Sequence, residues 1–478
     1  YINIDHGTRH DLKGVDSLGF RMHMPVKDEQ IQVAKAYLTV GDPGDKYLGT
    51  TPVTDEFGQW NLGEFEGKVH SEAELKAEWA KEDATLASFK DTKHSQYGGD
   101  LSRKGKATGY FHVEKKKGKW WFVDPEGHLW WSHGVVRVTP SSAVTPLDGR
   151  ERYFAWLPKK GDTSDPFEPF YRSHDELLKP YYDKRNIKET FDFSAANLLR
   201  KYGTDWRRTY EDLSHRRLRS WGLNTIANSS DRTIRRMCRT PFVERLETRG
   251  PRCKEQKNEG LWWHVPDPYS PEFRANLRQQ LEANREELTS PWCLGLFVDN
   301  EHNWSGISEK TMREYFKVIR EEIKRLDPQL LYFGCRFAHK NPAVVKACAD
   351  YSDALSYNIY AARLDDFRLP EGLDKPVLVG EFHFGTISDT GLFKPSLVWC
   401  PDQKHRAEAY LKYVGDALDH PNFVGVHWHQ FSDQATTGRF DGEYFQVGFT
   451  DVCDTPYAET VKALREVGES LYMTRWGK

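Results

Sequence analysis

Long apolar runs are missing from this sequence. No stretch of ~18 uncharged apolar residues occurs, so no membrane-spanning helix is expected, and no signal-peptide pattern opens the chain. The first residue is Tyr1 rather than Met, which points either to a removed leader or to numbering that starts inside a longer protein. Cysteine is sparse. The seven (Cys238, Cys253, Cys293, Cys335, Cys348, Cys400 and Cys453) are scattered, odd in number and without a CxxC pair, so neither a disulfide framework nor a zinc site is indicated. Cys293, Cys335 and Cys348 lie in apolar context and read as small core residues. A Gly-rich phosphate loop and a GxSxG elbow are both lacking. The formal net charge is only −3, with both signs mixed along the chain, which gives no electrostatic case for nucleic acid or an anionic membrane as a partner.

Aromatic residues are abundant instead: 13% of the chain, including 16 Trp. Flat rings in excess of core needs suit a sugar cleft, because the apolar faces of a pyranose stack on them; a large aromatic core is the plain alternative for any one of them. With 478 residues there is room for one (β/α) barrel of ~250 residues or more, with insertions and a smaller attached unit. Period-2 alternation at 18–24 and 31–38 reads as two strands of an antiparallel sheet or sandwich. Residues 41–105 read as linker and helix, the helix opening at the capping box Ser71-Glu-Ala-Glu74 and running to about residue 89. From 106 to 478 a barrel is expected, preceded by a hairpin at its entrance (111–113 with 119–123). Its strands are placed at 129–138, 224–228, 261–265, 293–299, 330–336, 354–360, 377–381 and 424–430. Helices are placed between them at 212–221, 231–239, 271–288, 308–326, 342–349 and 403–420, with a closing one at 456–472. That pattern predicts an α/β (β/α)8 TIM barrel. The insertion at 139–201 is expected to lie on the catalytic face as a lid or subsite wall. The basic run from His215 to Arg219 is expected to be the solvated face of a helix.

Chemistry concentrates at two strand ends. WCLGLFVDNEHNW, from Trp292 to Trp304, is a buried-strand pattern that stops at Asp299, Asn300 and Glu301; Val377-Leu-Val-Gly380 likewise runs into Glu381, followed by His383. Strand parity aims Phe297, Asp299 and Glu301 at one side, and Val379, Glu381 and His383 likewise. Two glutamates at the carboxyl ends of the fourth and seventh strands form the pair a retaining glycosidase needs. Glu301, after the hydrogen-bonding Asn300, is assigned as acid/base and Glu381 as nucleophile. The competing view is that both are ordinary surface or ion-paired carboxylates. In the eighth strand Trp428 is expected to floor the subsite, with Gln430 pointing the same way. His427 and His429 share a face, but no third ligand has motif spacing to them, so no metal is expected. His133 and His383 are candidates for bonds to sugar hydroxyls, or else structural histidines. Tyr360 is expected to donate to the nucleophilic carboxylate and keep it ionised.

The motifs FVDNE (297–301), GEFHFG (380–385), HWHQFSDQATTGR (427–439), GKWWFVDPEGHLWWSHG (118–134) and SYNIY (356–360), in that family's order, resemble glycoside hydrolase family 50, the β-agarases. The likeness runs from about Leu12 to Tyr457. It implies a clan A (β/α)8 barrel and retaining hydrolysis of β-1,4-galactosidic bonds in agarose or its oligosaccharides, with no cofactor and with release of neoagarobiose by an exo mode, endo action being the alternative if the 139–201 insertion leaves the cleft open. By position it carries over Glu301 as acid/base and Glu381 as nucleophile, and it adds Asn228, Gln434 and Arg439 to the candidate substrate-binding residues. It also implies that residues 1–40 are a short or remnant β-sandwich resembling a carbohydrate-binding module, and that the location is periplasmic or secreted. Two departures stand out: Asn228-Ser229-Ser230 where Asn-Trp-Ser is usual, and His429 where an aromatic such as Phe is usual. These leave open a sulfated galactan (porphyran, furcellaran or carrageenan) or a β-galactosidase activity. The reading from another class is a non-catalytic glycan-binding protein.

Overall fold

The computed structural model describes residues 51–171, 179–258, 263–338, 341–386 and 396–477; the strands expected within 1–40 lie outside them. Eight chain segments stand in a parallel ring: Ser132–Val136 (β1), Thr225–Ile226 (β2), Phe242–Leu246 (β3), Cys293–Val298 (β4), residues 331–337 (β5), Leu355–Asn358 (β6), Val377–Phe382 (β7) and Phe423–His429 (β8). Seven of them form one sheet in the order β4-β3-β2-β1-β8-β7-β6. The eighth, β5, closes the gap through parallel bridges Leu296–Tyr332 and Phe337–Tyr357. Its ladder is irregular because Gly334 and Arg336 adopt left-handed φ values of 75° and 53°, which interrupt an extended run. The result is a (β/α)8 barrel.

Two expected strands need correction. The stretch at 129–138 divides: His128–Trp130 belongs to a separate antiparallel sheet, and only Ser132–Val136 enters the barrel. The third strand is Phe242–Leu246; of the stretch expected there, 263–265 is not a strand and 261–262 lie outside the described residues. Its pattern is hidden because two of its five residues are charged. Glu244 pairs outward with Arg235, and Arg245 bonds Glu247 at 2.8 Å, so each charge is neutralised in place. Helices pack outside the ring by their apolar stripes. In Glu309–Leu326, capped by Ser308, the residues Met312, Tyr315, Phe316, Ile319 and Ile323 are buried at helical spacing. No helix among the described residues is long and apolar enough to cross a membrane.

Two accessory units shape the ends of the barrel. The expected hairpin, observed as His112–Lys116 and Lys119–Val123, belongs to a four-stranded sheet with His128–Trp130 and Asp100–Lys104. That sheet therefore runs across the boundary expected at 105. Its Phe111, Phe122 and Trp130, with Tyr97, pack on the inward side chains Val243, Leu294, Phe297, Phe333, Leu378 and Val424, and so close the amino-terminal mouth. At the opposite mouth the insertion forms its own antiparallel pair, Val144–Pro146 with Thr190–Asp192, and continues into a helix the sequence reading did not anticipate, Phe193–Tyr202, capped by Asp192. It is fastened to the segment after β8: Thr145 Oγ1 donates to Gly438 O at 2.7 Å, and Tyr181 stacks on Phe440 with centroids 5.4 Å apart.

Among the described residues five tryptophans, Trp121, Trp130, Trp131, Trp221 and Trp428, are fully buried and serve the core. The basic run at 215–219 is not a solvated face either. Arg217 is fully buried between Glu82 and Asp454, and His215 bonds Thr240 Oγ1 and Ile234 O. Removing one partner from such a pair is costly, because it strands a buried charge.

Where β4 approaches β5, a Cβ on Gly295 would fall 2.6 Å from Leu331 O and 2.5 Å from the Phe333 ring. Gly295→Ala is expected to destabilise the fold by about 1–3 kcal/mol, as overpacking does. A denaturant midpoint equal to that of the parent would show that the wall has slack there.

Candidate active site

Strain collects at the carboxyl mouth of the barrel. Among the described residues, nine non-glycine residues have positive φ, and five of them lie at strand ends facing this mouth: Arg137 after β1, Ser229 after β2, Asp299 and Glu301 after β4, and Arg336 in β5. Each costs roughly 1–2 kcal/mol, and such strain gathers where function requires it.

The left-handed turns overturn the expected parity at β4. Phe297 points into the barrel, 5.7 Å from the Phe333 ring. Asp299 instead turns outward, accepting from Thr248 N and Thr248 Oγ1, both at 2.6 Å, and from the Tyr315 hydroxyl. Burial pushes its pKa up, but His302, at 3.2 Å, and these donors hold it below the usual carboxylate range. Asp299 thus anchors the turn that returns Glu301 to the mouth. Parity fails at β7 for a different reason. Tyr357 lies opposite Val379 and Asn358 opposite Glu381, a one-residue bulge at Gly380. Val379 faces the helices, and the bulge re-aims Glu381 inward.

Glu381 is held by three neighbours. Arg336, fully buried, forms an ion pair with Oε1; the Tyr360 hydroxyl donates to Oε2 at 2.8 Å; and Asn358 Nδ2 lies 3.3 Å from the same oxygen. Burial pushes the pKa of Glu381 up, yet Arg336 and Tyr360 outweigh it and bring the carboxyl down to about 2. Tyr360 itself is pushed well above its ordinary value, by burial first and then by Glu381, so it remains a donor. Asn358 Nδ2 also donates to Glu301 Oε1 at 2.6 Å and to Asn300 Oδ1 at 3.2 Å. Because one nitrogen touches both carboxylates, their nearest oxygens are at most about 6 Å apart, which favours the closer spacing of a retaining pair.

The other candidates scatter. His133 lies in the outer core, bonded to Gly222 O and the Tyr410 hydroxyl, its pKa lowered to about 4 by burial; it does not reach the mouth. Trp428 also faces outward. It stacks on Phe449 and donates to Val447 O at 2.7 Å, so it floors no subsite. The inward positions of β8 belong to His427, which bonds Ser132 Oγ at 2.8 Å, and to His429. His383 is buried against Tyr360, 4.7 Å between ring centroids. Its nitrogens engage His429 O and Leu397 N, so it braces the tyrosine rather than waiting for a hydroxyl. Gln434 and Arg439 both bind Glu443. Gln430 bonds Ser432 O and Asn228 bonds Ser229 Oγ. In each of these two, the amide oxygen is buried without a partner among the described residues.

Three neighbours of the pair went unassigned in the sequence reading: Arg336, Asn358 and His429. A signal existed for the first, the one charge in the apolar run LLYFGCRFA, since a lone buried cation implies a buried anion. Asn358 had only its place in SYNIY.

No family model matches the chain. β-Agarase B of Vibrio sp. (strain JT0107) is 28% identical over an alignment of 577 residues that covers 98% of this chain and 59% of that protein. The chain spans little more than half the length of the curated relatives it matches. Among solved structures, the agarase AgWH50C is 31% identical with a TM-score of 0.81, covering 91% of this chain and 74% of that one. An exo-β-agarase is 28% identical with a TM-score of 0.80, covering 92% and 76%.

Replacing Arg336 with Met leaves Glu381 buried without its cation, and a neighbouring cation lowers a carboxyl pKa by roughly 1–3 units. The pKa of Glu381 therefore rises in Arg336→Met. The acidic limb of any activity that needs the ionised carboxylate moves to higher pH by a similar amount. A limb that stays in place in a folded variant would remove Arg336 from this role.

Proposed function

This chain belongs to the agarases of glycoside hydrolase family 50, and from that premise we propose that it is a retaining hydrolase of β-1,4-galactosidic bonds in agarose or agaro-oligosaccharides. The observation that carries the retaining mechanism is the Asn358 amide in reach of both carboxylates. A gap of about 6 Å or less favours the closer spacing of a retaining pair over the wider one that admits an inverting enzyme's water between base and sugar. In this reading Glu381, charged and held by Arg336 and Tyr360, attacks the anomeric carbon. Glu301 gives its proton to the departing glycosidic oxygen, and a covalent galactosyl ester forms on Glu381. Glu301, now ionised, takes a proton from water as the water oxygen attacks the same carbon and releases Glu381. Both substitutions invert the centre, so the β configuration returns.

The finer expectations stand within the same proposal. The insertion fastened to the segment after β8 walls one side of the cleft, which supports exo action and release of neoagarobiose. Of the substrate-binding candidates, Asn300 and Tyr360 lie at the carboxylate pair, and the unpartnered amide oxygens of Asn228 and Gln430 are available to sugar hydroxyls. Residues 106–478 act as the catalytic unit, 41–105 connect to it, and 1–40 belong to a sandwich resembling a carbohydrate-binding module. A polymer substrate supports a periplasmic or secreted location.

The test is product analysis after incubation with agarose, porphyran, furcellaran and carrageenan side by side, with NMR of the newly released anomer. Neoagarobiose from agarose, born as the β anomer, is expected. An α anomer would overturn the retaining mechanism, products from a sulfated galactan alone would reassign the substrate, and no products would return the chain to glycan binding. Glu301→Gln is expected to slow turnover ~10²–10⁴-fold, and Glu381→Gln on the order of 10⁴-fold or more. Unchanged turnover in either variant would sink the assignment of that residue.

A further inference from the structure

Asn358 is 5% exposed at the end of β6, and its amide cannot flip freely. Its Oδ1 accepts from Arg336 Nε at 3.2 Å, which turns Nδ2 toward the carboxylates. That nitrogen has two N–H groups and three acceptors: Glu301 Oε1 at 2.6 Å, Asn300 Oδ1 at 3.2 Å and Glu381 Oε2 at 3.3 Å. One acceptor is always short of a full bond. In the mechanism proposed above, on which this inference rests, the two glutamates are never both charged at the committed stages. Before attack the charge is on Glu381 and Glu301 is protonated; in the covalent ester Glu381 is neutral and Glu301 is charged.

We propose that Asn358 is a positioning residue whose amide, bonded to Glu301 at 2.6 Å and 3.3 Å from Glu381, strengthens its hold on Glu301 when the negative charge passes there from Glu381. A donor is worth most against an ionised acceptor, so the bond to Glu301 counts most in the half-reaction where Glu301 is charged. Arg336 keeps the amide aimed at both, because the same guanidinium grips Glu381 and Asn358. Arg336 and Tyr360 both act on Glu381, whereas the Asn358 amide touches both carboxylates. Asn358 breaks no bond of the substrate and moves no proton; it acts through the two glutamates.

The test uses the full chain on an agaro-oligosaccharide, comparing parent, Asn358→Ala and Asn358→Leu, the second keeping the volume of the side chain. The N–H favours ionised Glu301, so its loss makes Glu301 hold its proton to higher pH. The basic limb of kcat/KM, which requires protonated Glu301, is expected to move up by about one unit in both variants. In both, kcat is expected to fall ~10²-fold or more with KM within about threefold. A role in packing alone would lower activity without moving the limb. A limb that stays in place, a loss confined to KM, or failure of both variants to fold would overturn the proposal. The anomer released by the parent enzyme separates the two questions. If the parent inverts, the retaining mechanism falls first; if it retains and the limb is unmoved, only the role of Asn358 falls.

Discussion

Everything at the mouth of this barrel depends on keeping one buried carboxylate charged. A carboxyl taken out of water prefers to be neutral, and Glu381 escapes that preference chiefly because Arg336 reaches it from β5. For Arg336 to do so, β5 must leave the regular ladder, and its left-handed residues at 334 and 336 are the local cost of that departure. Gly295, with no side chain, lets β4 approach the irregular segment closely. The bulge at Gly380 brings Glu381 to the guanidinium. Wall geometry and charge placement are therefore one arrangement.

The two carboxylates are then treated unequally. Glu381 has a buried cation, a phenol and a share of an amide, and that same amide also bonds Glu301. A carboxyl tied to a buried cation stays ionised across a wide pH range. The asymmetry matches a division of labour between attack and proton transfer.

Periodicity makes the alternation of strands and helices legible in the sequence, and the abrupt polar ends of β4 and β7 mark both glutamates. The errors have a common cause: strict alternation was assumed where the backbone departs from it. Left-handed turns at Asp299 and Glu301 and the bulge at Gly380 each moved a side chain to the other face, and none has a composition signature. The inward face of β8 was misread for a related reason. Trp428 looked like a cleft aromatic and His429 like a departure, but the pairing with β1 and β7 turns the tryptophan to the helices and the histidine to the mouth. β3 was missed because paired charges hid its apolar residues, and the histidines suggested sugar contacts because sequence cannot reveal that His133 and His383 already have partners.

The sheet that closes the amino-terminal mouth leaves the carboxylate pair facing the carboxyl mouth. The insertion and the segment after β8 are fastened to each other at that mouth, through Thr145 and Gly438. Under the proposed mechanism a released sugar and the next length of polymer contend for that mouth, so traffic through it would set a ceiling on turnover that faster bond cleavage at Glu381 could not raise.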